Sequence, residues 1–235
     1  MKTLGILGGL GPMAGIYFAE LLTRKTKAAA DQEHLRFLLY SNPATPDRTG
    51  FILGESTEDP LPVLADSLKK LESSGAEVIA IPCMTSHFFF DELQKAVRIP
   101  LLNGIRETAF MLSKRGIQSA GILATTGTIH TGLFQKAFRE LGMEALIPGE
   151  TDQKTVMDII YHEAKAGKPI SADALFRVSD RLMEKGAQIC VLGCTELSLA
   201  LKEHLIPKER EGEFLDVLDA LSEAAILACG AELES

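Results

Sequence analysis

The sequence contains no stretch in which Lys and Arg interleave with aromatics, and its 24 basic residues are outnumbered by 32 acidic ones, for a net charge of −8. Phosphate backbones are held by a basic face, so nucleic acid is excluded as the main partner. A small anionic substrate, which needs only one or two local cations, is not. Long hydrophobic runs are also missing. The opening MKTLGILGGLGP has too short an apolar run, broken by glycine, for a signal peptide or a membrane span. It reads as a first buried strand, and a cytoplasmic protein with no membrane partner is expected. Cysteine is scarce: Cys83, Cys190, Cys194 and Cys229 include no CxxC pair. Cys190 and Cys194 lie across a strand-to-loop change, which is poor zinc geometry, so free thiols and no metal site are expected. The glycines of GGLGP do not follow GxGxxG, and GxxxxGK[ST] occurs nowhere, which argues against a dinucleotide or phosphate loop.

What the chain does contain is an alternation of short apolar runs and longer amphipathic stretches. With 46% hydrophobic and 24% charged residues it reads as globular. Segments 3–8, 35–40, 77–82, 119–124 and 187–192 are short, aliphatic and bounded by Gly, Pro or polar residues, as strands are; 99–102 and 143–147 are weaker candidates. Helical periodicity covers 13–29, 60–74, 86–97, 104–114, 131–141, 152–166, 171–185 and 213–228. Gly75, Gly116, Gly142 and Gly186 each follow one of these segments, as C′ glycines do. The pattern predicts an α/β fold with mainly parallel sheets flanked by helices.

The chain also repeats itself loosely. GILGGLGP at 5–12 is echoed by GILATTGT at 121–128, and IPCMTSH at 81–87 by LGCTELS at 192–198, at similar offsets. Two like-folded halves follow, drawn as 1–103 plus 209–235 and as 104–208, with the C-terminal helix completing the first. Ligands of open α/β sheets bind outside the carboxyl ends of the strands. Two facing halves would bring both Cys-Thr turns to one cleft.

By position alone Cys83 reads as a buried structural thiol, because free cysteine behaves as a small hydrophobe. Its setting adds a second reading. It follows Pro82 at a strand end, and Thr85 and Ser86 are placed to cap a following helix, whose N–H groups and dipole would favour a thiolate. Cys194 has the same setting, between Gly193 and Thr195. Cys190 lies inside an apolar strand and Cys229 in the terminal helix, and both are assigned to the core. Arg48 sits in a Pro-rich loop, and Lys165 near a helix end where it would complement the dipole. Met13 opens a helix after GGLGP, and Glu196 is either an orienting group for the Cys194 turn or a first-turn acid. His87 reads as a local partner of its own turn. His34, His130, His162 and His204 share no spacing and are taken as structural or exposed.

GILGGLGPMAG, NPATPDRT, IPCMTSH, GILATTGTIHTGLFQ, QKTVMDIIYHEAKAG and GCTEL, six segments in order along almost the whole chain, resemble the aspartate/glutamate racemase superfamily, and within it the aspartate racemases. The resemblance implies a cofactor-independent amino-acid racemase, usually a homodimer, built from two pseudosymmetric α/β domains with the active site in the cleft between them. It implies that Cys83 and Cys194 flank the substrate α-carbon, Cys194 deprotonating the L-isomer and Cys83 the D-isomer. It implies that Arg48 and Lys165 bind a side-chain carboxylate. Thr85, Thr126, Thr128 and Thr195 lie in the matching turns, where their hydroxyls suit both a helix cap and a substrate carboxylate; Met13 would line the pocket. One position departs from the family pattern Cys-Asn-Thr: Met84 stands where the amide would be, and a thioether donates no hydrogen bond. A racemase for another amino acid such as glutamate, an isomerase or decarboxylase of a dicarboxylate, and a catalytically silent dicarboxylate-binding protein stay open at this point.

Overall fold

The computed structural model describes residues 1–203 and 205–234, so the expectation for His204 lies outside the described residues. It divides into two compact units, Met1–Gly104 together with the chain from Leu218 onward, and Ile105–Val217.

The first unit is built on a three-stranded parallel sheet. Strand β1 (Leu4–Gly8) is followed by α1 (Pro12–Lys25), β2 (Phe37–Ser41), α2 (Arg48–Ile52), α3 (Leu61–Ser73), β3 (Val78–Ala80) and α4 (Phe90–Ala96). The spatial order is β2-β1-β3, with Leu4 opposite both Phe37 and Val78. All five residues of β1 are buried. That explains its unbroken apolar run, since a central parallel strand is covered on both faces. Helix α3 turns Leu64, Leu68 and Leu71 inward, the i, i+4, i+7 stripe of a core-facing helix, onto Leu7, Ile79 and Leu93. The weak strand candidate at 99–102 contributes one parallel bridge, Ile79 to Leu101. The C-terminal helix Val217–Ala228 closes this unit: Lys2 donates its backbone N–H to Cys229, and Lys25 Nζ reaches Asp219 at 2.8 Å and Glu223 at 3.0 Å.

The second unit carries α5 (Gly104–Lys114), β4 (Ser119–Leu123), α6 (Thr126–Thr131), α7 (Leu133–Glu140), β5 (Glu144–Leu146), α8 (Glu150–Asp158), α9 (Ala172–Glu184), β6 (Ile189–Leu192), α10 (Ser198–Lys202) and β7 (Phe214–Asp216). Its four strands are parallel in the order β5-β4-β6-β7. Strand β7 falls where helical periodicity had been read from residue 213. Three apolar-rich residues that run straight into an apolar helix have no period of their own, and only pairing with β6 reveals them. That pairing is also why the second unit runs on to Val217. Among the described residues no helix is long and apolar enough to cross a membrane.

The glycines of GGLGP act through backbone shape. Gly9 has φ +92°, and a Cβ there would lie 2.4 Å from backbone atoms of Asn42. Both effects oppose any side chain. Gly9→Ala is therefore expected to cost about 2 kcal/mol or more of stability, measured by urea denaturation; an unchanged midpoint would contradict this account of the turn.

Candidate active site

In the first unit β3 ends at Ala80, and Ile81 and Pro82 lead into Cys83, which is extended and buried. The following residues, Met84–Phe89, form a 3-10 helix before α4 begins. The expected α-helical start behind Cys83 is thus a tighter element with poorer hydrogen-bond geometry, and its N-cap, Cys83, makes no side-chain cap bond. Thr85 is buried in this turn. Arg48 opens α2, where Asp47 caps by accepting from the Gly50 N–H at 2.6 Å. It is only 7% exposed. Its Nη1 donates to the Pro46 carbonyl at 3.0 Å, and its Nη2 to the Leu10 carbonyl at 2.8 Å and toward Cys83 Sγ at 4.0 Å. An arginine that the sequence placed in a Pro-rich loop is thus a buried neighbour of the thiol. Met13, in the first turn of α1, is half-exposed.

Met84 is buried, with its thioether against Gly104, where a Cβ would meet Met84 Cε at 2.8 Å. His87 is buried beside it. Its Nδ1 lies 3.0 Å from the Cys83 carbonyl, and its Nε2 accepts the Gly104 N–H at 3.0 Å. Burial holds the ring neutral and pushes its pKa down to about 4, outweighing the Cys83 and Leu102 carbonyls, which favour the protonated form.

In the second unit β6 ends at Leu192, and Gly193 leads to Cys194, 6% exposed. The two thiol turns share a local design: Ser86 N–H bonds the Cys83 carbonyl, and Leu197 N–H the Cys194 carbonyl, each three residues on. Their electrostatics differ. Cys194 Sγ–H donates to Glu196 Oε2 at 2.9 Å, and Lys165 Nζ holds Glu196 Oε1 at 3.3 Å. Desolvation, then the Glu196 charge, raises the Cys194 pKa well above its ordinary value, and Lys165 offsets only part of this. The expectation of a helix-stabilised thiolate at Cys194 is corrected accordingly: residues 195–197 form a turn, and the resting sulfur is a thiol. Lys165 follows a π-helical segment, Ile159–Ala164, and packs over the Tyr161 ring at 4.9 Å. Such local under-winding recurs at functional sites.

Thr195 is buried, 3.5 Å from Glu196 Oε2. Beyond β4, the neighbour of β6, the cap of α6 is Thr125, which accepts from the Thr128 N–H at 3.1 Å and lies 3.0 Å from the Thr128 hydroxyl. Thr126 Oγ1 accepts from Gln153 at 3.2 Å. The geometry thus gathers Arg48, Thr85 and Cys83 in one unit, and Lys165, Thr195 and Cys194, with Thr126 and Thr128 one strand over, in the other. Glu196 is the residue that sequence reasoning undervalued; its position two residues after a cysteine at a strand end was the available signal. Among the described residues no group of three or more His, Cys, Asp or Glu side chains is placed to hold a metal ion. Cys190 and Cys229 are buried, with pKa values pushed up to about 12 and about 11 chiefly by desolvation, as core thiols.

Residues 7–225 match the family model described as Asp/Glu/Hydantoin racemase, and the chain belongs to that family. It is similar to an aspartate racemase from Picrophilus torridus, with TM-score 0.85 and 31% identity, covering 100% of this chain and 96% of that one. It is 26% identical over 202 residues to the broad specificity amino-acid racemase RacX of Bacillus subtilis, covering 84% of this chain and 87% of that protein. A glutamate racemase from Francisella tularensis, at 16% identity and TM-score 0.68 over 97% of this chain and 80% of that one, shares the fold. Family membership supports an amino-acid racemase.

Two outcomes follow from the site's electrostatics. Glu196→Gln removes the charge that opposes a Cys194 thiolate and leaves the Lys165 cation, so alkylation of Cys194 by iodoacetamide at pH 8 should speed up several-fold, read by peptide mass spectrometry; no change would contradict the assigned cause. For His87 the native pKa of about 4 lies below the ordinary 6.5. The unfolded chain therefore takes up the proton first as pH falls. Stability is full above about 6.5 and declines toward pH 4, by about 3 kcal/mol in all. The difference in denaturation free energy between the wild type and His87→Gln should shrink by that amount over this window.

Proposed function

We propose that the protein is a cofactor-independent racemase that interconverts L- and D-aspartate, with Cys83 and Cys194 as its two acid/base groups. The observation that supports this reading is that each unit ends a strand on a buried thiol set against charged side chains: Arg48 for Cys83, and Glu196 with Lys165 for Cys194. Racemisation removes a proton from one face of the α-carbon and delivers one to the other, so an acid and a base must act from opposite sides. Cys194, whose proton is held by burial and by Glu196, is the acid of the resting pair. The Arg48 guanidinium complements negative charge on the Cys83 sulfur. With D-aspartate, Cys83 thiolate takes the α-proton and Cys194 delivers its own to the opposite face. The pair is left as Cys83 thiol and Cys194 thiolate, the form that acts on the L-isomer.

Hydroxyls and backbone N–H groups of the Thr85, Thr126, Thr128 and Thr195 turns would bind the α-carboxylate and stabilise the carbanion as charge develops. Arg48 and Lys165 would bind the side-chain carboxylate, Lys165 by exchanging Glu196 for it, and Met13 would line the entrance. The same reading takes the working form to be a cytoplasmic homodimer. A racemase of broader specificity is the second reading. It is favoured by the partners these cations already have, carbonyls for Arg48 and Glu196 for Lys165, which a substrate carboxylate must displace.

Chiral chromatography of L-aspartate, L-glutamate and L-alanine, each incubated with the protein and no added cofactor, separates the readings. D-aspartate should accumulate fastest. Equal rates on aspartate and alanine would favour the broader enzyme, and no D-isomer from any substrate would contradict both. Arg48→Ala should raise KM for aspartate by a factor equivalent to about 2–4 kcal/mol, with kcat/KM for alanine changed far less.

A further inference from the structure

We propose that His87 is the positioning residue of Cys83, locking the thiol turn to Gly104 at the point where the chain leaves the first unit; this rests on the reading of Cys83 as an acid/base group. The Gly104 N–H can only donate, so Nε2 of His87 is an acceptor and the ring proton sits on Nδ1, where it donates to the Cys83 carbonyl. That carbonyl takes a second hydrogen bond from the Ser86 N–H at 3.2 Å. With two donors on its oxygen, the peptide after Cys83 cannot rotate, and the Cα–Cβ direction that aims Sγ toward Arg48 is fixed. The other end of the clamp is equally defined. Gly104 is the first residue of α5, and a Cβ there would strike Met84 Cε at 2.8 Å and Sδ at 3.0 Å and lie 3.5 Å from His87 Nε2. Met84 and His87, two side chains of one 3-10 turn, therefore grip one glycine.

The clamp calls for a histidine. A neutral imidazole donates at one edge and accepts at the other on a rigid ring, and here the ring is 3% exposed and stacked on Phe90 at 6.0 Å between centroids. The flexible thioether of Met84 fills the space beside Gly104 and helps hold the imidazole in place.

The test compares three substitutions by two readouts: racemisation of aspartate, and the rates at which iodoacetamide alkylates Cys83 and Cys194, resolved by peptide mass spectrometry. His87→Leu, which removes both contacts, should lower kcat tenfold or more with KM within about twofold, and should change the alkylation rate of Cys83 several-fold while leaving that of Cys194 unaltered. His87→Asn keeps a donor near the Nδ1 position and should recover most of the loss. His87→Gln, whose amide oxygen reaches the Nε2 position, should recover little. Should His87→Leu fail to fold, judged by circular dichroism, the contrast between Asn and Gln decides alone. Equal activity and equal Cys83 reactivity in all variants would overturn the proposal, and so would parallel changes at both cysteines. A wild type that racemises nothing would instead sink the functional reading, and Cys83 alkylation would still report on the clamp.

Discussion

In each unit the strands are parallel, and every connection must return over a face of the sheet before the next strand can begin. Within a unit all strand carboxyl ends therefore emerge along the same edge. That edge receives GGLG after β1 and Cys83 after β3 in one unit, and TTGT after β4 and Cys194 after β6 in the other. The strands are three to five residues long, and both thiols lie in the irregular chain just beyond their carboxyl ends. The neighbouring helices supply what those positions need: Arg48 from α2, and Lys165 from beyond α8. The site follows from the sheet, and the thiols lie where backbone hydrogen bonding gives out.

The two thiols are alike in backbone and unlike in charge. Here a buried carboxylate at 2.9 Å holds the proton on Cys194, while a guanidinium faces Cys83. The two sulfurs therefore sit in opposite electrostatic settings. Lys165 tempers the contrast. It pairs with Glu196, and its cation offsets part of the rise in the Cys194 pKa.

Much of this was legible in the sequence, and the exceptions have physical causes. Strands β1, β4 and β6 stand out because a doubly covered strand must be apolar throughout. The loose repeat of GILGGLGP and of the two Cys-Thr turns gave two halves before any coordinates. Strand β7 was invisible because three residues carry no period. The first residues of the segment 86–97, read as helix, belong instead to the 3-10 turn Met84–Phe89, because composition does not distinguish i+3 from i+4 bonding. Charge placement was the least legible. Arg48 reads as a surface residue until α2 and its Asp47 cap turn it inward. Glu196 reads as an ordinary first-turn acid until the turn at 195–197 brings its carboxylate back onto the preceding thiol. His87 offers only one bonded atom, the Cys83 carbonyl, within its own segment; its second partner lies 17 residues on.

The central claim is that two thiols divide one reaction, each serving one hand of the substrate. Deuterium uptake from D2O into the α-position of L- and D-aspartate by Cys83→Ser and Cys194→Ser, read by mass spectrometry with chiral separation, measures this division directly. The account predicts that neither variant racemises, that Cys83→Ser exchanges only the L-isomer through Cys194, and that Cys194→Ser exchanges only the D-isomer through Cys83. Racemisation that survives the loss of either thiol, or exchange of both isomers by one variant, would contradict it.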